Sequence, residues 1–95
     1  MADNQHEEQG NPAVEVLYLK TNEEKIFHAH WTNTLQQVWD QAYTELGEAK
    51  QAGDTFECQD GTKLAPYLGQ TLEQLRDQKI CVNRKFQIRG PAGGA

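Results

Sequence analysis

The sequence predicts a small α+β domain in the order β-β-α-β-β-(short helical turn)-β, with one long helix packed on a mixed sheet. Three observations predict it. Two alternating segments, 13–20 and 25–31, lie close together near the start. One segment, beginning near Thr34, repeats its apolar residues at three-and-four spacing. A last alternating segment runs from Lys79 to Arg89. At 95 residues the chain has room for one core only.

The first strand, Ala13 to Lys20, is rich in β-branched and aromatic residues and is bounded by Pro12 and by Thr21-Asn22-Glu23-Glu24. Its inward face is open, because Val14 and Val16 oppose Leu17 and Leu19. The second strand, Lys25 to Trp31, puts Phe27, Ala29 and Trp31 on one face and Ile26, His28 and His30 on the other. The short connection makes the two antiparallel. Thr34 with Gln37 reads as a capping box, with Thr32 or Asn33 as alternative caps. Leu35, Val38, Trp39, Ala42, Tyr43 and Leu46 form the apolar face of the helix. Gly47 is its C-cap, with Gly53 as a later alternative. A third strand covers 54–59, with Phe56 and Cys58 on one face, and Asp60-Gly61 turns the chain. Lys63-Leu64-Ala65 begins a brief fourth strand that Pro66 stops. Thr71 caps a single helical turn through Leu75. In the last strand Ile80, Val82, Phe86 and Ile88 share a parity that Arg84 interrupts.

Residues 1–12 are polar and acidic and read as a disordered lead-in. Residues 13–89 form the domain, and 90–95, Gly-Pro-Ala-Gly-Gly-Ala, a flexible tail. Nine basic against 14 acidic residues leave a net charge of −5, the wrong sign for a binder of nucleic-acid backbone. No apolar run reaches the roughly 20 residues that span a bilayer, and the first residues lack the pattern of a secretion signal. A cytoplasmic protein is therefore expected, with Cys58 and Cys81 as buried, reduced thiols; a redox-sensitive pair arises only if the two face each other on neighbouring strands. His28 and His30 share a strand face, but two imidazoles do not make a metal site. No nucleophile-base order, phosphate loop or paired carboxylates in a cleft is evident. A non-enzyme without metal or cofactor is expected.

The order of elements resembles the ubiquitin-like β-grasp family. Thr34-Leu35-Gln36-Gln37-Val38 is similar to that family's helix start, and Thr71-Leu72-Glu73-Gln74-Leu75 to the turn before its last strand. Phe86-Gln87-Ile88-Arg89-Gly90, followed by Gly93-Gly94, is similar to its terminal Leu-Arg-Gly-Gly. Within the family the chain looks most like bacterial ubiquitin-like modifiers encoded with an E1-like adenylating enzyme, an E2-like protein and a deconjugating peptidase. The resemblance implies these as partners, and target proteins with amines as acceptors. It implies Gly94 as the conjugation site after Ala95 is trimmed, although Ala95 could itself be activated. Arg89, Gly90 and Gly93 would be gripped by the processing enzymes, since glycine allows close backbone approach and Arg suits an acidic groove.

The apolar patch read by ubiquitin receptors is not apparent. The exposed parity of the sheet offers Thr55, Glu57, Arg84 and Gln87 instead, of which Glu57, Arg84 and Gln87 are the candidate surface contacts. Any exposed member of Lys20, Lys25, Lys50, Lys63, Lys79 and Lys85 could accept another copy, though solubilising lysines are the simpler reading. An exposed edge of the first or last strand could also support self-association. Two other functions fit: a sulfur carrier of the ThiS/MoaD type, and a β-grasp binding module that is never activated.

Overall fold

The computed structural model describes residues 11–91. It is a small α+β domain with a mixed four-stranded sheet and one long helix. The strands are β1 (Ala13–Tyr18), β2 (Glu23–His28), β3 (Thr55–Cys58) and β4 (Lys85–Arg89). The helices are α1 (Leu35–Leu46) and the short α2 (Leu72–Asp77), with a 3-10 turn at Ala65–Tyr67. The sheet order is β2-β1-β4-β3. β1 runs antiparallel to β2 and parallel to β4, and β3 is antiparallel to β4. The first and last strands are thus central, and β2 and β3 form the edges, so the expected exposed edge does not lie on the first or last strand.

The face of β1 left open by its sequence is decided by packing. Val14, Val16 and Tyr18 are buried, while Leu17 and Leu19 are only half-buried on the other side. Phe27, Ala29 and Trp31 join them in the core, and Ile26 is exposed, as the alternation requires. From α1 come Leu35, Val38, Trp39, Ala42, Tyr43 and Leu46. Trp39, Phe56 and Phe86 stack in a row, with centroids 5.6 and 5.1 Å apart. Such pairs add to the area they bury.

The two helices begin at one another. Thr34 and Thr71 each close a capping box, with Gln37 and Gln74 respectively. The Leu35 and Gln36 amides donate to the Gln70 and Leu68 carbonyls, and the Leu72 and Glu73 amides to those of Asn33 and Trp31. Each helix start therefore supplies acceptors, through the segment before it, for the other's unpaired donors. Gly47, at φ 72°, ends α1 and donates to Thr44 and Tyr43 carbonyls.

The structure corrects several boundaries. β2 starts two residues earlier than expected and ends at His28, so Ala29 and Trp31 are buried without being in the strand. Lys63–Ala65 is no strand: Lys63 makes a single bridge to Glu57, and Ala65 enters the 3-10 turn. The last strand is only Lys85–Arg89. Residues 79–84 form a loop in which Lys79, Cys81 and Arg84 have φ of 62°, 49° and 57°. A backbone turning left-handed at three places cannot stay in a ladder. Ile80 is therefore half-buried and Val82 exposed, despite their shared parity with Phe86 and Ile88. Pro12, placed in the lead-in from sequence, is buried, and its carbonyl accepts the Ala29 amide at 3.0 Å.

The cysteines differ most from expectation. Cys58 and Cys81 are joined as a disulfide, their Cα atoms 5.6 Å apart. The left-handed turns of the 79–84 loop bring Cys81 back to the end of β3, a placement that strand alternation does not give.

Candidate functional site

The buried polar side chains among the described residues, Asp54, Glu57 and Gln87, lie on β3, just before it, and on β4. Glu57 and Gln87 are direct cross-strand partners on β3 and β4, on the sheet face away from α1. Both are buried, which overturns the expectation that they form an exposed contact surface. The Gln87 amide donates to Glu57 Oε1 at 2.7 Å. Lys63 Nζ and Arg89 Nε both donate to Glu57 Oε2 at 3.0 Å. The Glu57 side chain is 1% exposed, whereas Lys63 and Arg89 remain 69% and 52% exposed. A buried carboxylate is thus neutralised by two cations that themselves remain largely in solvent.

Burial alone would raise the Glu57 pKa, but the bonds from Arg89, Gln87 and Lys63 outweigh it and hold it at about 2. Two cations over one buried anion leave the cluster with a net positive face. Arg89 spends only its Nε on Glu57. Among the described residues its two Nη groups have no hydrogen-bond partner, and the side chain is half exposed, which leaves a planar donor pair of the kind that suits a carboxylate.

A second ion pair lies at the same end. Asp54 follows Gly53 into β3, and its side chain is fully buried. One oxygen pairs with Lys20 Nζ at 2.8 Å. The other accepts from Tyr43 Oη at 2.8 Å and the Gln51 amide at 3.1 Å. Trp39 Nε1 donates to Tyr43 Oη at 3.1 Å, so the chain of bonds runs from α1 to the sheet edge. Burial opposes ionisation of Asp54, and these partners still bring its pKa below the ordinary value. Burial and the Asp54 contact raise that of Tyr43, which keeps its hydroxyl a donor.

These two pairs bracket the root of the tail. Arg89 is held by Glu57. The stem of Lys20 lies against Gly90, so close that an added Cβ would come within 2.6 Å of its Cε. Pro91 packs on Gly53, where an added Cβ would meet the proline ring at 2.9 Å and where φ is already +90°. Glycine is needed at position 53 on both counts.

The remaining sequence candidates are scattered. Arg84 sits at the far end of β4. Its Nε donates to the Ala13 carbonyl at 2.9 Å, and its guanidinium lies 5.2 Å from the Trp31 ring centroid. His28 and His30 are exposed, and among the described residues they belong to no group of three metal-ligating side chains. Gly93, Gly94 and Ala95 lie outside the described residues. Sequence reasoning gave Lys20, Lys63 and Gly53 other roles and did not single out Asp54. For Lys63 the signal was partial: the Asp60-Gly61 turn brings the chain back along the third strand, but a two-residue turn there would set position 63 opposite 58, and the observed partner is 57. No helix in the described residues is long and apolar enough to cross a membrane. No protein-family model matches the chain, and no curated protein matches it.

Proposed function

We propose that this chain is a ubiquitin-like modifier of the bacterial kind, with a β-grasp domain that carries a conjugated tail. The observation that carries the reading is the bracketed exit of β4. A central strand, parallel to β1, delivers Arg89, Gly90 and Pro91 to one end of the domain. The sequence then continues Ala92-Gly93-Gly94-Ala95. One long helix on a mixed sheet of order β2-β1-β4-β3 is compatible with the same fold.

In this reading a peptidase hydrolyses the Gly94–Ala95 bond. An E1-like enzyme joins the Gly94 carboxylate to the α-phosphate of ATP and releases pyrophosphate. A thiol of the enzyme displaces AMP to form a thioester, which an E2-like protein takes over. A target amine then displaces that thiolate to leave an amide. The modifier contributes a carboxylate, an unobstructed tail and an oriented root. The free Nη pair of Arg89, beside Lys63, suits an acidic groove on the activating enzyme.

Mass spectrometry of the protein from its native cells, beside Gly94→Glu, tests this. A mature chain ending at Gly94, with protein adducts lost in the variant, is the expected result. A thiocarboxylate at Gly94 without adducts would assign a sulfur carrier instead. An unmodified chain in both samples would leave a binding module, which should keep its function without residues 90–95.

A further inference from the structure

The other end of β4 carries chemistry that conjugation does not use. Cys81, in the loop before β4, is disulfide-bonded to Cys58 at the end of β3. Cys58 is buried, whereas Cys81 is half-buried. An open cavity of about 160 Å³ flanks the bond, lined by both cysteines with Gln59, Lys79, Val82 and Asn83 among others. Both cysteines line the opening, and Cys81 is the more exposed of the two residues. The same wall carries one anion, Asp60, and one cation, Lys79, and Lys79 is the group that favours a thiolate there.

The loop is poised to move once the bond opens. Cys81 and Arg84 occupy the left-handed region without being glycine, whereas Lys79 does so as the residue that ends α2, its amide donating to the Arg76 carbonyl and that of Ile80 to the Leu75 carbonyl. What the bond constrains is also clear. The Arg84 carbonyl accepts the Glu15 amide at 3.0 Å, and its guanidinium holds the Ala13 carbonyl. Val82 is held on the surface, 58% exposed.

We propose that Cys58–Cys81 is a reversible redox site, opened by a dithiol reductant, that switches loop 79–84 between a fixed and a relaxed surface. A thiolate of the reductant attacks Cys81 Sγ, and Cys58 leaves as a thiolate that takes up a proton. The second thiol of the reductant then displaces Cys81 from the mixed disulfide. Two electrons pass to the protein, which ends with two thiols, and the reductant ends as a disulfide. Strained or solvent-reachable disulfides are the labile ones, in contrast to structural disulfides that resist reduction, and this one borders an open cavity. The site stands apart from the conjugation reading and does not depend on it.

The test uses the full oxidised chain and dithiothreitol without denaturant. Thiols are counted by alkylation and mass, the fold is followed by far-ultraviolet circular dichroism, and amide exchange is mapped by peptide. Two thiols should appear with the dichroism spectrum retained. Exchange should rise at least tenfold in 79–84 and at the start of β1, with little change in α1, and oxidation should reverse it. Lys79→Ala should slow the opening several-fold at neutral pH. Thiols that appear only as the fold is lost would make the bond a structural staple and overturn the proposal. So would exchange that is identical in the two states.

Discussion

β4 is held at its two ends by opposite means. Before Lys85 the chain is constrained covalently, by Cys58–Cys81, in a loop whose backbone is left-handed at three residues. After Ile88 it is held by charge: Arg89 on buried Glu57, with the Lys20–Asp54 pair beside Gly90. The first arrangement responds to reductants. The second responds to acid and to the loss of single partners. The difference teaches that one short central strand can have independently adjustable ends, because Phe86 and Ile88 fix its middle in the core regardless.

The largest expected effect comes from removing the covalent end. A disulfide closing a loop of this length, with a sequence separation of 23, stabilises by about 3 kcal/mol in the chain-entropy description. Relief of the left-handed residues offsets part of that. Cys58→Ser with Cys81→Ser should therefore cost about 2 kcal/mol in urea unfolding. A loss well beyond 3 kcal/mol would mean that the loop also organises the core.

Breaking the ionic end should cost about as much or slightly less. Glu57→Ala strips the partner from buried Gln87 and from two cations, and about 2 kcal/mol is expected, moderated because Lys63 and Arg89 can turn to water. The same site predicts an acid response. The folded pKa of Glu57 lies below its ordinary 4.5, at about 2. Its contribution is thus present above about pH 4.5 and is lost as pH falls toward 2. Unfolding followed between pH 6 and pH 2 should show that loss in the wild type and a shallower one in Glu57→Gln.

Gly53→Ala sharpens the comparison at the tail itself. Strain at φ +90° and the Pro91 contact should together cost about 1 kcal/mol. They should also shift the amide resonances of Arg89 and Gly90 while leaving those of 79–84 in place. Lys63→Ala should be the mildest change, within about 0.5 kcal/mol, since its ammonium is mostly exposed. A loss of more than 1 kcal/mol would show that Lys63 shields Glu57 as well as neutralising it.

Local rules made some of this legible in the sequence. The capping box at Thr34, the apolar stripe of α1 and its end at Gly47 follow from spacing alone. The two ends of β4 were not legible, for different reasons. Parity says which sheet face Glu57 occupies but not whether Lys63 and Arg89 will neutralise it. Ile80 and Val82 kept the rhythm of a strand, and no residue type announces a left-handed turn at Lys79, Cys81 or Arg84. The Cys58–Cys81 pairing is a consequence of that turn, so it was hidden with it.

The measurement that bears most directly on the modifier reading uses Arg89 itself. It is the last trypsin site in the sequence, so digestion of a conjugate leaves residues 90–94, Gly-Pro-Ala-Gly-Gly, on the acceptor lysine. Peptides from native cells should carry that branch on lysines of other proteins, and none should carry it when Gly94 is changed to Glu. Its absence from cells that express the protein, with the unconjugated chain readily detected, would contradict the account.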